Sequence, residues 1–516
     1  MMLMLATAAV LSSCSDLKSC STCITLAGLE SYKCTWCTKD STCHAVGSLV
    51  SACTNSDECV SLSDLSTCNE KNVEACPAAD ALPEQVHVAL AGNGGMRVQW
   101  TTPKAVAASM VQFGEASALT SNASGSSRQY LANAGWHHSV LLAGPLTPGG
   151  EIFYRVGDGV SAWSRVLSFL VPRATAGVDT TINLAVFGDM GFQNSTIRPM
   201  QVAREGLEKE WSASYTYELL RRQVDERQVD GVWHVGDIGY ADDSFSHAVA
   251  SFTYETAYNG YMQWLEPIAS RVPYMVTPGN HESECHSPAC LARLHEWGLP
   301  LSNFSAFNAR WTMPFAESQG SSNMWYSFDL GPVHFVSLNS ETDWPGAEEE
   351  TTGDAHMKAL PAGSFGQPGE YLAWLEADLA RAAAARDAGH GPVWIVAGSH
   401  RPFSAIESSH GELLRKYGVD AYFAGHSHSY TRDTHTFAAD NSTLLTVVVG
   451  GAGCDEMKQA PKTAETGKTR ASFHTARYAS GVLRANVSTL HFELVDSEDG
   501  SLLDEVVLLK AAQNGA

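Results

Sequence analysis

Five short apolar runs in the middle of the chain each stop at a residue type that binds metal ions. The stops lie in the segments FGDMG, VGDIGY, PGNHE, VAGSH and GHSHSY, which supply Asp189, Asp237, Tyr240, Asn280, His281, His400, His426 and His428. Helical stretches separate the runs, a pattern typical of a layered α/β domain. Ligands in such domains bind beyond the carboxyl ends of the strands, so these side chains are expected to converge. One Asp or His beside a glycine is usually a turn, but five such motifs in series constrain the fold strongly.

Length and charge exclude several classes of partner. The chain has 516 residues, which predicts three or four domains. Its formal net charge of -23 argues against nonspecific binding to nucleic acid or to an acidic membrane surface. No uncharged apolar run reaches the roughly 18 residues that a membrane helix needs. The sequence therefore predicts no nucleic-acid partner and no membrane span.

The N-terminal part of the chain indicates export. Residues 1–13 are apolar and end in small residues, like a secretory signal, although a positively charged start is missing. Ten of the thirteen cysteines lie between Cys14 and Cys76, a density that predicts a disulfide framework. A zinc module is the alternative, but the two CxxC pairs are closer together than the usual separation of roughly 15 to 20 residues. The expected destination is secretion, or a lysosome or vacuole reached through the secretory pathway.

Five Asn-x-Ser/Thr sequences are candidate acceptors of N-glycans in that compartment. They are centred on Asn122, Asn194, Asn303, Asn441 and Asn486. Several such tripeptides are expected by chance in a chain of this length. They therefore support export only in combination with the cysteines.

Two regions outside the strand-end motifs have β-rich patterns. Over residues 82–173, short β-branched or aromatic runs are broken by Gly, Pro and Ser, which indicates a β-sandwich. Over residues 441–510, similar runs predict strands at 482–485, 489–494 and 505–509. The predicted fold class is therefore a multidomain α/β plus β chain.

The cysteine spacing from Cys14 to Cys43, with Trp36 between the fourth and fifth cysteines, resembles the PSI module of plexins, semaphorins and integrins. In such a module, crosslinks substitute for a core that so few residues cannot build. The resemblance implies a disulfide-rich module over residues 14–76. Its implied role is structural spacing or protein contact, without chemistry of its own.

The order of the strand-end motifs resembles that of the calcineurin-like metallophosphoesterases. Tyr240, three residues after Asp237, completes the GDxxY pattern of the purple acid phosphatases. The segments QVHVAL, VQFGE, HHSVLLAG and FYRVGDG resemble the N-terminal domain of that family, and SFHTARYASGVLRANVSTLHFELV resembles its C-terminal segment. The resemblance implies a fibronectin-III-like sandwich over 82–173, a four-layer α/β/β/α catalytic domain over 182–440 and the family's C-terminal segment over 441–510.

The resemblance also implies two metal ions per chain. By position, it assigns ferric iron to Asp189, Tyr240 and His428, and a divalent zinc, manganese or iron ion to Asn280, His400 and His426, with Asp237 as the bridge. Donor chemistry agrees, because phenolate and carboxylate suit ferric iron whereas imidazole and amide oxygen suit a divalent metal. The alternative for Tyr240 is a core tyrosine that is hydrogen-bonded through its hydroxyl.

The function that follows from the resemblance is an acid phosphatase that cleaves phosphate monoesters by attack of a metal-bound hydroxide. His281 and His410 match positions where the family places phosphate-contacting or proton-donating histidines, although His410 is equally consistent with a solvated surface histidine. A phosphodiesterase or pyrophosphatase on the same scaffold is the alternative within the enzymes. A non-enzymatic adhesion protein is the alternative from another class.

Two features depart from the family pattern. Val396 lies four residues before His400, one more than usual, which leaves the register of that strand open. Between Asp189 and Asp237, the charged stretch 204–227 predicts a solvated crossover helix.

Overall fold

The computed structural model describes residues 82–115, 118–132, 134–160, 162–173, 181–191, 213–242, 254–283, 299–347, 362–453 and 472–510, together with the backbone of three short N-terminal strands. Those strands are Cys34–Cys37 (β1), Thr42–Ala45 (β2) and Cys59–Val60 (β3), and they pair in the order β2-β1-β3. The predicted signal segment, the cysteine side chains of the predicted PSI-like module and Asn194 lie outside the described residues.

The region after the cysteines is a β domain of seven strands. These are Glu84–Leu90 (β4), Met96–Thr102 (β5), Ser109–Gly114 (β6), Ser121–Arg128 (β7), Trp136–Leu142 (β8), Glu151–Gly157 (β9) and Leu167–Leu170 (β10). They pair in the order β10-β9-β6-β7-β8-β5-β4 around a core that includes Val98, Trp100, Tyr154 and Phe169. The predicted β-rich N-terminal domain is confirmed. The strand β7, SNASGSSR, has no apolar alternation, so periodicity did not predict it.

The remaining strands and helices form the α/β region, which carries the strand-end motifs. The strands are Ile182–Phe187 (β11), Gly231–His234 (β12), Tyr274–Val276 (β13), Tyr326–Leu330 (β14), Val333–Ser337 (β15), Trp394–Gly398 (β16), Ala421–Ala424 (β17), Tyr430–Thr436 (β18), Thr443–Val449 (β19), Phe473–Thr475 (β20), Ala479–Ala485 (β21), Thr489–Asp496 (β22) and Leu502–Leu509 (β23). The helices are Ala213–Asp225 (α1), Tyr254–Ala269 (α2), Leu299–Leu301 (α3), Ser305–Arg310 (α4), Glu370–Asp387 (α5) and Phe403–Lys416 (α6), and Asn280–Glu282 is a 3-10 turn. Helix α1 lies within the charged stretch where a helix was predicted.

Two mixed sheets organise this region. The first has the order β13-β12-β11-β21-β22-β23, and the second has the order β14-β15-β16-β17-β19-β18-β20. In the first sheet β11, β12 and β13 are parallel, and in the second β15, β16, β17 and β19 are parallel. Each parallel set directs its carboxyl ends toward one edge, which is where ligands bind in sheets of this kind.

The C-terminal segment completes both sheets rather than forming a unit of its own. β21 pairs antiparallel with β11, the strand that leads to Asp189, and β19 pairs parallel with β17, which leads to His426. The strands predicted over 482–485, 489–494 and 505–509 lie within β21, β22 and β23.

Aromatic side chains fill the space between the two sheets. Trp233 on β12 makes edge contacts with Phe335 on β15, at 5.5 Å between ring centroids, and with Phe423 on β17, at 6.5 Å. A Cβ on Gly398 would come within 2.5 Å of the Trp233 ring, so the sheets approach closely at the end of β16. The α/β region therefore has a continuous core beneath the strand ends.

The N-terminal β domain is joined to the α/β region through buried polar contacts. Arg310, which is 2% exposed, donates to Gln85 (3.2 Å) and Tyr130 (3.0 Å) of the β domain and to Glu255 of α2 (2.8 Å). A buried guanidinium needs several acceptors, so these contacts hold the two regions together. Among the described helices, none is long and apolar enough to cross a membrane.

Candidate active site

The seven candidate metal ligands lie on loops or turns that follow parallel strands of both sheets. Asp189 follows β11, Asp237 and Tyr240 follow β12, and Asn280 opens the 3-10 turn after β13. His400 follows β16, and His426 and His428 follow β17. Because the two sheets face each other, ligands from both meet at one edge. The extra residue before His400 does not displace it, since its ring reaches Asp237.

Several of these side chains depend on a left-handed backbone. The φ angles are 59° at Asp189, 51° at Asp237, 50° at Tyr240 and 67° at His426. Residues other than glycine rarely adopt this conformation, at a cost of order 1 to 3 kcal/mol each. Such strain persists only where the surrounding structure enforces it, and it concentrates at functional sites.

Two glycines let the loops approach each other. A Cβ on Gly279 would lie 2.3 Å from Oδ1 of Asp237, and a Cβ on Gly425 would lie 2.4 Å from Oδ2 of Asp189. Real Cβ atoms do not come that close to an oxygen. The glycines of the PGNHE and GHSHSY segments are therefore required by contacts with carboxylates on other loops.

One group of candidate ligands gathers around Asn280. Its side-chain oxygen Oδ1 lies 3.1 Å from Nε2 of His400 and 3.0 Å from Nδ1 of His426. Nε2 of His400 is also 3.0 Å from Oδ2 of Asp237. The other ring nitrogen of His400, Nδ1, is 3.0 Å from the carbonyl oxygen of Val235, which orients Nε2 toward the group.

A second group gathers around the hydroxyl of Tyr240. That oxygen lies 2.9 Å from Nε2 of His428, 3.1 Å from Oδ1 of Asp189 and 3.4 Å from Oδ2 of Asp237. Tyr240 is 1% exposed, and its ring packs in a cluster with Tyr478 from the C-terminal segment. The two groups therefore share one atom, Oδ2 of Asp237.

The electrostatics of the shared atom favour positive charge. Burial opposes ionisation of Asp237, but the imidazoles of His400 and His281 outweigh it and hold the pKa of this carboxyl well below its usual range. Burial likewise lowers the pKa of His400, yet the Asp237 carboxylate raises it to about 9. For His426, burial and the neighbouring His400 lower the pKa.

Glu282 has a structural task that the sequence did not reveal. Its carboxylate is 5% exposed and accepts the backbone N–H groups of Gly279 (2.8 Å), Ile238 (2.9 Å) and Asp237 (3.0 Å). Burial and the adjacent Asp237 raise the pKa of Glu282 to about 8. It joins the loop after β12 to the loop after β13.

His281 lies at the edge of the second group, and its partner is Asp242. Nδ1 of His281 is 3.0 Å from both carboxylate oxygens of Asp242, whereas Nε2 is 3.9 Å from Oδ2 of Asp237. The ring also packs against Tyr240, at 4.2 Å between centroids. Asp242 stands five residues after Asp237 in a turn-like stretch, and sequence reasoning missed it because no motif marked it.

Among the contacts of the described residues, none joins His410 to either ligand group. It lies on α6, is fully buried, and has Nδ1 2.6 Å from Oγ of Ser409 and Nε2 3.0 Å from the hydroxyl of Tyr371. It is therefore not a surface histidine. Burial lowers the pKa of His410 to about 4, so its imidazole is neutral over most of the pH range.

The donor set fits two metal ions. It combines two carboxylates, one phenol, one amide oxygen and three imidazoles, with ligand atoms of Asp237, His400 and His426 all within 4.8 Å of one another. Although burial lowers the pKa of His400, the Asp237 carboxylate raises it to about 9, so this part of the site favours positive charge. Two groups that share one carboxylate oxygen have the connectivity of a binuclear centre.

Comparisons with known proteins define first the class and then the family. Residues 182–430 match the calcineurin-like phosphoesterases, which is the class that the sheets and the strand-end ligands define. Residues 83–170 match the N-terminal domain of purple acid phosphatases, and residues 444–505 match the iron/zinc purple acid phosphatase-like protein C. The chain belongs to the purple acid phosphatases, as the motif order predicted.

Individual relatives agree with this assignment. Purple acid phosphatase 21 of Arabidopsis thaliana is 30% identical over 72% of this chain and 71% of its own length. Acid phosphatase A of Cryphonectria parasitica is 29% identical over 84% of this chain and 93% of its own length. A purple acid phosphatase from yellow lupin (Lupinus luteus) seeds has a similar fold, with a TM-score of 0.60, 21% identity and coverage of 84% of this chain and 75% of its own. Membership of the family implies a binuclear metal centre.

Proposed function

We propose that this chain is an acid phosphatase that hydrolyses phosphate monoesters at a binuclear metal centre. The observation that carries the proposal is the shared carboxylate oxygen. Oδ2 of Asp237 lies 3.0 Å from Nε2 of His400 in one ligand group and 3.4 Å from the hydroxyl of Tyr240 in the other. Family membership and the named acid phosphatases among its relatives support the same activity.

The two groups differ in donor chemistry, and the proposal assigns the metals accordingly. Asp189, Tyr240 and His428 would hold ferric iron, because phenolate and carboxylate are hard anionic donors. Asn280, His400 and His426 would hold a divalent ion, and Asp237 would bridge the pair. When bound, such ions act as Lewis acids toward the phosphoryl group and lower the pKa of coordinated water.

His281 is proposed to give a proton to the leaving group. Asp242 accepts the Nδ1–H of His281, so the ring is held with Nε2 toward the ligand groups. A phosphate ester held at the metal-ligand residues would have its leaving-group oxygen near Nε2 of His281. When both ring nitrogens of His281 carry a proton, donation from Nε2 stabilises the departing alkoxide and leaves the Nδ1–H with Asp242, a contribution typically worth about 10²- to 10⁴-fold in rate. His410 has no part in the proposal, since both of its ring nitrogens are bonded within the core.

Passage through the secretory pathway is also proposed. Its support is the cysteine density between Cys14 and Cys76 and the exposure of Asn122, Asn303 and Asn441, three of the asparagines in glycosylation sequences. Asn486 is half-buried, and its Oδ1 accepts the backbone N–H groups of Ser488 and Thr489. Peptide mapping with and without glycosidase treatment tests each position; unmodified Asn303 and Asn441 in protein from a eukaryotic host would contradict the proposal.

The central experiment is a visible absorption spectrum of protein purified without chelator, combined with metal analysis and turnover at mildly acid pH. We expect about two metals per chain, turnover of an aryl phosphate monoester, and a broad band from tyrosinate bound to iron. Tyr240→Phe should remove the band. Tyr478→Phe is the matched control, because it removes the hydroxyl of the neighbouring tyrosine and leaves all seven candidate metal ligands in place.

Two results would contradict parts of the proposal. A colourless protein that prefers a diester with manganese or zinc would retain the fold and move the function to the alternative within the enzymes. A protein that binds no metal and turns over neither substrate would leave the adhesion alternative.

A further inference from the structure

Two adjacent histidines on β8 lie on opposite faces of the β domain. The ring of His138 stacks on Trp100 of the domain's core, at 4.8 Å between centroids. The ring of His137 instead stacks on Tyr130, at 5.3 Å, and the hydroxyl of Tyr130 accepts a hydrogen bond from Arg310 of the α/β region. His137 therefore belongs to the interdomain joint. This joint is formed by Gln85, His87, Arg128, Tyr130 and His137 of the β domain and by Glu255, Arg310 and Trp311 of the α/β region.

The two histidines differ in what their ring nitrogens contact. For His138, hydroxyl oxygens of Thr102 and Ser109 lie 2.8 Å from Nε2 and Nδ1, and a hydroxyl oxygen accepts a hydrogen bond from either nitrogen. For His137, Nδ1 lies 3.1 Å from Oγ1 of Thr101, and Nε2 has no partner among the described residues. Since His137 is 4% exposed, a proton added at Nε2 would be a buried donor without an acceptor.

Two guanidinium groups near His137 also oppose a positive charge on its ring. Arg128 of β7 donates from Nη2 to the carbonyl oxygen of Trp311, at 3.2 Å. The guanidinium of Arg310 lies over the ring of Tyr130, at 5.6 Å from the centroid. Burial lowers the pKa of His137 well below its usual range, and the charges of Arg310 and Arg128 lower it further.

The other titratable groups of the interdomain joint do not offset this effect. The carboxylate of Glu255 is already engaged, because it accepts a hydrogen bond from Nη2 of Arg310 at 2.8 Å. A proton on His87 or His138 would add further positive charge near His137. His87 itself spans the joint, with Nε2 3.0 Å from the carbonyl oxygen of Arg310. The closed joint therefore requires a neutral ring at His137.

We propose that the interdomain joint is acid-sensitive: it is closed while His137 is neutral and opens when this ring binds a proton. In an open joint the ring meets water, where its pKa returns to about 6.5. Below that pH the open form binds a proton that the closed form does not bind. Each unit by which the pH decreases should therefore raise the ratio of open to closed protein by up to about tenfold. Relative motion of two domains is expected where the interface between them is polar.

One backbone amide reports the opening directly. The N–H of Val86 in the β domain donates to Oε2 of Glu266 in the α/β region, at 3.1 Å. Hydrogen exchange of this amide in the full-length protein at pH 7, 6 and 5, corrected for the intrinsic exchange rate, measures the open fraction. The amides between β5 and β8 serve as the reference, because they exchange only when the β domain itself unfolds.

The expected result is a difference in slope. Between pH 6 and pH 5 the open fraction should rise about tenfold more in the unmodified protein than in His137→Gln. His137→Phe is a second variant without a titratable group, it keeps a ring against Tyr130, and it should behave like His137→Gln. His87 is present in all of these proteins, so its own titration cancels. A uniform change in stability does not alter the slope.

His138→Gln is the matched control, because this ring lies on the other face of β8, and it should retain the pH dependence of the unmodified protein. The proposal is overturned if both variants of His137 also retain that dependence, or if His138→Gln loses as much of it as they do. It is equally overturned if Val86 exchanges only together with the amides between β5 and β8. Each of these outcomes is measured without a phosphatase assay, so the proposed function is tested separately.

Discussion

His281 and His410 lie in two neighbourhoods that look alike in the sequence and differ in chemistry. Each histidine stands close after a metal-ligand motif, and each is buried with partners at its ring nitrogens. The partner of His281 is a carboxylate, and its second nitrogen faces the ligand groups. The partners of His410 are hydroxyls, and both of its nitrogens are used inside the core.

The difference shows what makes a histidine available for proton transfer. A carboxylate on one nitrogen holds the proton there and leaves the other nitrogen directed at the site. Two hydroxyl partners and complete burial instead favour a neutral, fixed ring, as the lowered pKa of His410 shows. Burial alone therefore does not separate the two roles, whereas partner chemistry and direction do.

The largest effect is expected where both ligand groups meet. Asp237→Asn removes the anionic bridge, so bound metal and activity should both be lost, with turnover reduced by about 10⁴-fold or more. Metal analysis and phosphatase assays measure the outcome. Asp378→Asn is the matched control, because Asp378 is a buried carboxylate 2.9 Å from Nε2 of His334. Retention of two metals by Asp237→Asn would contradict the shared-ligand arrangement.

His281→Asn should slow turnover while two metals stay bound. We expect a decrease in kcat of about 10²- to 10³-fold with an alkyl phosphate, whose leaving group needs a proton. The decrease should be smaller with a nitrophenyl phosphate, whose leaving group departs without protonation. An equal loss with both substrates would argue against proton donation and leave only a positioning role for this ring.

Asp242→Asn tests the partner that distinguishes His281 from His410. The amide oxygen of Asn still accepts a hydrogen bond but carries no charge. The amide can also turn its NH2 group, which cannot accept the proton, toward Nδ1 of His281. A decrease in kcat of about tenfold to a hundredfold is expected, which is typical for the loss of a group that orients a functional histidine. The loss should be absent when His281 is already Asn, as a double-mutant cycle would show. Additive losses would indicate that Asp242 and His281 act independently of each other.

His410→Asn should affect stability rather than catalysis. It removes one hydrogen-bond partner of the buried Tyr371 hydroxyl, which still accepts the backbone N–H of Asn339, and the loss costs about 1 to 3 kcal/mol in the free energy of unfolding. Activity at saturating substrate should stay within about threefold of the unmodified protein. Chemical denaturation and kcat on the same sample give both numbers. A loss comparable with that of His281→Asn would restore His410 as a catalytic candidate.

The smallest effect concerns the pH dependence of stability. Burial lowers the pKa of His410 from 6.5 to about 4. Above pH 6.5 the imidazole of His410 is neutral in both the folded and the unfolded state. Between pH 6.5 and pH 4 the unfolded chain binds a proton at this residue that the folded state does not bind. The free energy of unfolding therefore falls by about 1.4 kcal/mol for each unit by which the pH decreases. Urea midpoints at pH 7, 6 and 5 should therefore decline less in His410→Asn. An unchanged slope would indicate that the buried ring is already protonated.

Much of the fold could be predicted because the strands are short apolar runs with clear ends. The strands predicted over 489–494 and 505–509 lie within β22 and β23, and the helix predicted in the stretch 204–227 is α1. Helix α2 was not predicted, since YETAYNGYMQWLEPIA is rich in aromatic residues and contains Pro267 near its end. β7 was missed because its polar sequence pairs through the backbone alone.

The sequence by itself determined the seven candidate ligands, their order and the family, because each ligand is tied to a local pattern of apolar run, glycine and donor. Only the tertiary structure decided what lies around them. Asp242 meets His281 across 39 residues, and Glu341 meets Arg401 across 60. These contacts arise where loops from different strands come together at one edge of the sheets. A local sequence pattern does not indicate which distant residues will come into contact. For that reason the hydrogen-bond partners that distinguish His281 from His410 could be identified only in the tertiary structure.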